Sequence, residues 1–241
     1  MVAIAYNLPT LGEGGDFNHK YQCGERMLNI VVIVERSTAW KLIKIWNMNS
    51  KIISFAIEAH NNTNHLYDGK PYSVHLAMVA MIAQKYIDCI PTQSQSDVLA
   101  ACWLHDTIED CRLTYNDVKQ VAGETVANIV YAVTNEKGKN RKERANDAYY
   151  DGIRKTMWAK YVKLCDRLAN VQYSYDNMSR MYGVYQKEND AFLKALFPNE
   201  SEMHHYRDIV NDLKMLLGYT VVDWRITCRI LPKVAISEQK T

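Results

Sequence analysis

The segment LHDTIED, residues 104–110, concentrates residue types that can bind a metal ion and move a proton. His105 and Asp106 are adjacent, and neighbours on a helix point about 100° apart, so both can reach a metal ion lying beside the helix. Glu109 and Asp110 follow them by four residues, a spacing that shares a helix face. The segment therefore predicts a metal-binding pair followed by two carboxylates that accept or orient the proton of a water molecule.

Two further segments offer ligands, because one helix alone cannot enclose a metal ion. His75 lies early in the amphipathic segment GKPYSVHLAMVA, and Asp166 lies among apolar leucines in KLCDRLAN. An aspartate on that apolar side is costly to bury unless it is paired or metal-bound. Imidazole and carboxylate ligands together suit Mn²⁺, Fe²⁺ or Zn²⁺ better than Ca²⁺. We therefore predict a single divalent metal site held by His75, His105, Asp106 and Asp166.

Each of these residues also has an ordinary structural interpretation. A single histidine on an apolar helix is more often a hydrogen-bonded core residue than a ligand, and a single aspartate more often caps or braces the backbone. Adjacent His-Asp pairs also occur by chance. The metal site is favoured because HDxxED and both flanking segments occur together, in this order.

Apolar residues recur at helical spacing in the segments that carry the site. Three such segments begin near residue 49, near Val74 and near Asp97. Thr114 followed by Asp117 is typical of an N-terminal helix cap, and Gly123 is expected to end that short helix. Further helices are expected over 124–132 and near 155–172, 183–196 and 201–217, with Pro198 between the last two.

This pattern of apolar residues predicts an all-α fold, a helical bundle around a single metal site. A short strand or hairpin is compatible with the prediction. The bundle is expected over residues 48–218, where the helical pattern is continuous. Residues 1–47 are interpreted as an N-terminal extension, with NIVVIVE typical of one short strand. Residues 219–241 are interpreted as a tail whose partial alternation fits a strand. Because Met48 directly precedes an amphipathic helical segment, it is an alternative first residue for the natural protein.

Bulk composition argues against several classes of protein. The 241 residues carry a formal net charge of +2, so a nucleic-acid or membrane partner is not expected and a small-molecule substrate is. The six cysteines form no C-x-x-C pair and are interpreted as buried thiols in a reducing cytoplasm. No apolar run reaches the ~18 residues of a spanning helix, and the N-terminal segment does not read as a signal peptide. Cytoplasmic location is expected, with the oligomeric state open.

Five segments, taken in order, resemble a known family. FAIEAH (55–60), DGKPYSVH (68–75), LAACWLHDTIED (99–110), VTNEKGKNRKER (133–144) and KLCDRLANV (163–171) are similar to the hydrolase domain of RelA/SpoT homologues. The similarity is greatest to the small alarmone hydrolases, which are HD-domain proteins. The resemblance covers most of residues 50–200, and HDTxED and KLxDRLAN are its most specific pieces.

The resemblance implies an HD-domain helical fold with one Mn²⁺ ion. It implies hydrolysis of the 3′-pyrophosphate of a guanosine or adenosine alarmone such as ppGpp, with release of pyrophosphate. It matches the metal ligands to His75, His105, Asp106 and Asp166, and the water-activating acidic pair to Glu109 and Asp110. It also matches nucleotide-site positions to Tyr72 and Asn170.

A run of basic residues, KGKNRKER at 137–144, has two interpretations. Such a run is usually a solvated face of the protein. Beside a metal phosphohydrolase motif it becomes a clamp for phosphate oxygens. On that interpretation Lys137, Lys139 and Arg141 are the predicted phosphate contacts.

One stretch departs from the family pattern. Alarmone hydrolases usually carry basic residues between their FAAxxH and PYxxH segments, whereas residues 61–70 contain only His65 and Lys70. The base preference is therefore open. Two alternatives also stay open: an HD-type phosphatase acting on NADPH or a nucleoside monophosphate, and a non-catalytic nucleotide-binding module. The second is weakened because all four metal-ligand positions and both acidic positions are filled.

Overall fold

The computed structural model describes residues 2–5, 31–34, 50–135 and 138–219, and the chain divides into two compact units, Met1–Lys51 and Ile52–Thr241. In the first unit, β1 (Val2–Ala5) pairs antiparallel with β2 (Val31–Val34), with Val2 opposite Val34. β2 is the strand that NIVVIVE predicts. The tail strand lies outside the described residues, and the domain boundaries at 47/48 and 218/219 stay predictions.

The chain from residue 50 onward is mostly helical, as the periodicity predicts. Among the described residues, no helix combines the length and apolar character that crossing a bilayer requires. The α-helices are α1 (50–62), α2 (Ser73–Lys85), α3 (Thr92–Leu104), α4 (Thr107–Asp110), α5 (Tyr115–Ala122), α6 (Glu124–Val133), α7 (Arg141–Arg144), α8 (Asp147–Lys155), α9 (Ala159–Asp176), α10 (Met181–Leu196) and α11 (Arg207–Leu216), with 3₁₀ turns at Ile87–Cys89 and Glu200–Tyr206.

A short hairpin joins α1 to α2. Its strands are β3 (Leu66–Tyr67) and β4 (Lys70–Pro71), and Tyr67 pairs with Lys70. The two turn residues, Asp68 and Gly69, have φ angles of 51° and 74°. Positive φ at both central positions is the requirement of a type I′ turn, for which Asp-Gly is a preferred pair. The fold prediction left room for this hairpin, and the dipeptide at 68–69 is the local signal that locates it.

The core that positions the site lies between α2, α3 and α9, which pack against one another. Leu76 on α2, Leu104 on α3 and Leu164 on α9 are each fully buried. Burying one such side chain contributes about 1.5–3 kcal/mol. Since each of these helices also carries or adjoins a predicted ligand, apolar packing holds the ligand-bearing segments together.

The helix pair α5–α6 is bounded as the sequence predicts. Thr114 accepts a hydrogen bond from the backbone N–H of Asp117, and the Asp117 carboxylate accepts one from the backbone N–H of Thr114. This reciprocal pair is a capping box. Gly123 has a φ of 88° and lies between the two helices, a conformation that is strained for residues with a Cβ.

The capping box yields a stability prediction. We expect Thr114→Ala to lower the free energy of unfolding by about 1 kcal/mol, since a helix N-terminus loses its side-chain acceptor. Urea denaturation followed by circular dichroism measures the change. Thr125→Ala, at an exposed position in α6, is the matched control, and equal losses in the two variants would contradict a capping role.

Two helix starts and one whole helix differ from the sequence prediction. The helix expected near 155–172 begins at Ala159, because Trp158 adopts a left-handed conformation with a φ of 66°. α8 was not predicted, although the Asn146 side chain caps it by accepting from the backbone N–H of Tyr149 at 3.0 Å. The helix expected over 201–217 starts as a 3₁₀ turn and becomes α-helical at Arg207. α10 ends shortly before Pro198, as predicted.

Candidate metal centre and active site

The four predicted metal ligands converge in the core. His75 on α2 and His105 at the end of α3 bring their Nε2 atoms to 3.2 Å. Asp106 Oδ2 lies 2.9 Å from Nε2 of His105 and 3.5 Å from Nε2 of His75. Asp166 Oδ1, from α9, lies 3.3 Å and 3.8 Å from Nε2 of His75 and His105. Two nitrogen and two oxygen donors therefore surround one small volume.

This donor set fits a divalent cation. The Nδ1–H of His105 donates to the carbonyl oxygen of Cys102 at 2.9 Å, so the lone pair of the neutral ring lies on Nε2, facing the other donors. Burial opposes charge on His105, yet Asp106 and Asp166 together raise its pKa well above the usual range. The centre therefore attracts positive charge, and a cation with mixed nitrogen and oxygen ligands meets that requirement.

Asp166 is held from both sides of its carboxylate by α9 itself. Lys163 Nζ lies 2.9 Å from Oδ2, and Asn170 Nδ2 donates to Oδ1 at 2.6 Å. The hydroxyl of Tyr67, in the hairpin, donates in turn to Asn170 Oδ1 at 2.9 Å. Burial opposes the charge of Lys163, but Asp166 raises the pKa of this lysine well above its usual range. Asp166 is therefore an ionised carboxylate with a fixed orientation.

Lys163 and Tyr67 are site residues that the sequence analysis above does not predict. Lys163 had a local signal, since a lysine three residues before an aspartate on one helix is a neighbour on the same face. Tyr67 had none, because its partner Asn170 lies 103 residues further along the chain. Asn170 itself was predicted as a nucleotide contact. The structure places its amide on the carboxylate of Asp166, and its contact with a nucleotide stays a prediction.

Tyr72 connects the hairpin region to the metal centre. Its hydroxyl donates to Asp106 Oδ2 at 2.5 Å, and its ring stacks on those of His60 and His65, with centroids 4.2 Å away in both cases. The side chain is buried. Tyr72 therefore orients a predicted ligand, while its predicted nucleotide contact stays untested.

The HD motif lies at a break between two helices, although its residues were interpreted with the spacing of a helix. α3 ends at Leu104, and α4 begins only at Thr107, with Asp106 as the residue before it. The backbone N–H of Asp110 still donates to the carbonyl of Asp106 at 2.8 Å. The break exposes Nε2 of His105 and the carboxylate of Asp106 to the same volume.

The two acidic residues after the motif have different surroundings. Glu109 accepts from Nδ2 of Asn135 at 2.9 and 3.0 Å and from the backbone N–H of that residue at 3.2 Å. Asp110 Oδ2 lies 3.5 Å from Nδ1 of His65. Burial, followed by the charges of Asp106 and Glu109, raises the pKa of Asp110 to about 7. Glu109 is therefore tied to the segment after α6, while Asp110 faces the end of α1.

The basic run is only partly described. Lys137 lies outside the described residues, and for Arg141 the structure describes the backbone, which begins α7. Lys139 is exposed, and its backbone N–H donates to Glu143 at 2.9 Å. Arg144 brings Nη1 to 3.9 Å from Oε1 of Glu109. The run thus adjoins the acidic pair through Arg144, and the phosphate contacts of the other three stay predictions.

Comparison with known proteins assigns the family. A model of the HD domain matches residues 53–190, more than half of the chain and the whole span of the four converging ligands. The chain belongs to the HD-domain family. Its HD domain contains the hairpin, the break at the His-Asp pair and the aspartate of α9, so the predicted family and fold are confirmed.

Several relatives of this chain carry names that include hydrolysis of ppGpp. It is 35% identical over 121 residues to guanosine-3′,5′-bis(diphosphate) 3′-pyrophosphohydrolase MESH1 of Danio rerio, covering 50% of this chain and 65% of that protein. It is 32% identical over 113 residues to the bifunctional (p)ppGpp synthase/hydrolase SpoT of Escherichia coli K12, covering 43% and 15%. The chain thus spans less than two thirds of the length of these relatives.

A solved structure has the same fold. It is described as a metazoan ortholog of SpoT that hydrolyses ppGpp, and it superposes with a TM-score of 0.54 at 20% sequence identity. The match covers 72% of this chain and 97% of that one. That protein therefore shares the helical fold of this chain.

Proposed function

We propose that this HD domain is a metal-dependent hydrolase that removes the 3′-pyrophosphate of a guanosine or adenosine alarmone such as ppGpp. The observation that carries the proposal is the convergence of two imidazole nitrogens and two carboxylate oxygens, with distances of 2.9–3.8 Å from carboxylate to nitrogen, next to an acidic pair. The names of the MESH1 and SpoT relatives support the choice of substrate.

The metal ion would be held by His75, His105, Asp106 and Asp166, and Mn²⁺ is the ion we propose. The chemistry supplied by such an ion when bound is polarisation of a phosphoryl oxygen and activation of water. Tyr72 and Asn170 keep the carboxylates of Asp106 and Asp166 in position through the hydrogen bonds described above. Such outer contacts preserve ligand orientation between turnovers.

In the reaction, a water oxygen forms a bond to the phosphorus attached to the 3′ oxygen, and the bond between that phosphorus and the 3′ oxygen breaks. The 3′ oxygen takes up a proton and leaves as the ribose hydroxyl, and pyrophosphate is released. Glu109 and Asp110 accept or orient the proton of the attacking water. Lys137, Lys139 and Arg141 neutralise phosphate charge, and Tyr72 and Asn170 line the nucleotide site.

A product assay tests this proposal. Purified protein with Mn²⁺ is incubated with ppGpp, ppApp, NADPH and nucleoside monophosphates, and released pyrophosphate and orthophosphate are measured separately. Pyrophosphate from ppGpp or ppApp is the expected result and identifies the preferred base. Orthophosphate from NADPH or a monophosphate would show that the metal site serves a phosphatase reaction instead. Binding of ppGpp with no product from any compound would indicate a non-catalytic module.

One feature of the sequence favours the phosphatase alternative. Residues 61–70 contain only His65 and Lys70 as basic side chains, which is few for a segment expected to recognise a highly charged guanosine nucleotide. The metal chemistry is the same for other phosphoesters, and the HD fold alone does not select among them.

We also propose that the protein functions in the cytoplasm. The described cysteines Cys89, Cys102, Cys111 and Cys165 are free thiols, which is typical of a reducing compartment. Measuring the location of a tagged full-length chain tests this expectation.

Asn170 provides a test of how the metal site is supported. We expect Asn170→Ala to weaken Mn²⁺ binding by about 10–100-fold, the usual effect of losing a hydrogen bond to a metal ligand, because Asp166 Oδ1 loses its 2.6 Å donor. Isothermal titration calorimetry measures the affinity. Gln172→Ala, at a half-buried position on the same helix whose side chain donates to Asp176, is the control. Equal Mn²⁺ affinity in both variants would show that Asn170 does not support the ligand.

A further inference from the structure

A second group of metal-ligating side chains lies outside the four ligands of the HD motif. His60 is near the end of α1, His65 lies just before β3, and Asp110 ends α4. Nδ1 of His60 lies 3.2 Å from Nδ1 of His65, which is 3.5 Å from Oδ2 of Asp110. All three atoms lie within 4.8 Å of one another. We refer to these three residues as the second cluster.

The nitrogen–nitrogen distance in the second cluster suits a shared metal ion. Two imidazole nitrogens bound to one Zn²⁺ at about 2.0–2.1 Å with tetrahedral angles lie about 3.3–3.4 Å apart. The observed separation of 3.2 Å in the second cluster equals that between Nε2 of His75 and Nε2 of His105 in the HD centre. The two centres therefore share the same separation between paired imidazole nitrogens, although the second cluster uses Nδ1 atoms and the HD centre uses Nε2 atoms.

The three facing atoms of the second cluster can all offer lone pairs to one cation. When the Nδ1–H of His60 points at His65, the ionised carboxylate of Asp110 faces a nitrogen lone pair, whereas one cation satisfies all three donors. Nε2 of His60 has no hydrogen-bond partner among the described residues, so no neighbour fixes the tautomer of this ring, and the ring can present the lone pair of Nδ1 to an ion.

The second cluster is also preorganised. The backbone N–H of His65 donates to the carbonyl of His60 at 3.0 Å, which closes the turn after α1. The ring of Tyr72 stacks on both imidazoles, and its hydroxyl reaches Asp106 of the HD centre. The side chains of His65 and Asp110 are 33% and 25% exposed, so an ion can enter and water can occupy the remaining coordination positions.

We propose that His60, His65 and Asp110 bind a second divalent transition-metal ion, of the kind that prefers two imidazoles, one carboxylate and water. Asp110 contributes Oδ2 to this ion and keeps Oδ1 for the proton role of the proposed reaction. The ion adds positive charge beside a stretch, residues 61–70, that has only His65 and Lys70 as basic side chains. The proposal does not depend on the proposed hydrolase activity, because bound ions are counted directly.

Metal titration of the stripped, full-length protein tests this proposal. Zn²⁺ binding is followed by calorimetry, and Co²⁺ binding by its visible absorption. We expect two ions per chain in the unmodified protein and one in His65→Gln and in Asp110→Asn. We expect one ion in Asp106→Ala, which lacks an HD ligand, and none in the His65→Gln, Asp106→Ala double variant. Asp88→Asn, at an exposed position, is the control with two ions, and circular dichroism confirms folding of each variant.

Two results would overturn the second site. One is a single ion in the unmodified protein that is lost in Asp106→Ala. The other is two ions that persist in both His65→Gln and Asp110→Asn. Two ions with no product in the nucleotide assay would instead leave the second site in place and refute the proposed hydrolase function.

Discussion

Asp106→Ala is expected to lose the metal ion of the HD centre and hydrolysis together. Asp106 Oδ2 lies 2.9 Å and 3.5 Å from the two imidazole nitrogens and also accepts from Tyr72. Removing the carboxylate leaves Asp166 as the remaining anionic side chain among the four proposed ligands. Because stabilisation by the cation is worth several kcal/mol, turnover should fall by on the order of a thousandfold or more.

Metal content by elemental analysis and pyrophosphate release from ppGpp measure this result in the same samples. Asp208→Ala is the matched control, since the side chain of Asp208 is 80% exposed on α11, and it should keep both metal and activity. Full turnover by Asp106→Ala would mean that the reaction takes place elsewhere on the chain. A fall in turnover with unchanged affinity for the metal would assign Asp106 a role other than ligation.

Glu109→Gln is expected to retain the metal ion and lose turnover by about 10²–10⁴-fold, the usual contribution of a positioned proton-transfer group. Glu109 is separate from the four converging ligands, and its carboxylate is held by Asn135 and Arg144. Glutamine preserves the length of the side chain but removes its charge and its ability to accept a proton. Metal binding should therefore be intact while the water loses its proton acceptor.

Steady-state kinetics with ppGpp, combined with Mn²⁺ affinity, separates these two effects. Glu58→Gln, at an exposed position on α1, makes the same chemical change away from the site and should leave both quantities unchanged. Normal turnover in Glu109→Gln would assign proton transfer to Asp110 instead. Normal turnover in both Glu109→Gln and Asp110→Asn would show that the acidic pair is not part of the site.

Local sequence patterns were sufficient to predict most of the helices and several of their ends. The capping box at Thr114 and Asp117 and the glycine at 123 depend on contacts within one or two turns, so their chemistry is visible in adjacent residues. The shifted start of α9 depended on the left-handed backbone of Trp158. That conformation has no local signal, because tryptophan is not a residue that prefers it.

Residue chemistry also sufficed to nominate the four donors of the HD centre, since histidine and aspartate on apolar helices need a partner when buried. Their convergence on one small volume, however, depends on how the helices pack. Nε2 of His75 and Nε2 of His105 lie 3.2 Å apart only because α2, α3 and α9 pack together. The break between α3 and α4 turns the His-Asp pair toward that point. The sequence gives no local signal for this break, because the spacing of the motif fits a helix.

By itself, the sequence determined the helical class, the donor residues and the resemblance to alarmone hydrolases, because each depends on residue type and short spacing. Only the tertiary structure decided which side chains orient those donors. Tyr67 reaches Asn170 across 103 residues, Glu109 is tied to Asn135, and His60 and His65 meet Asp110 from another helix. Such contacts follow from how helices pack, and packing brings together residues whose separation along the chain leaves no periodic pattern.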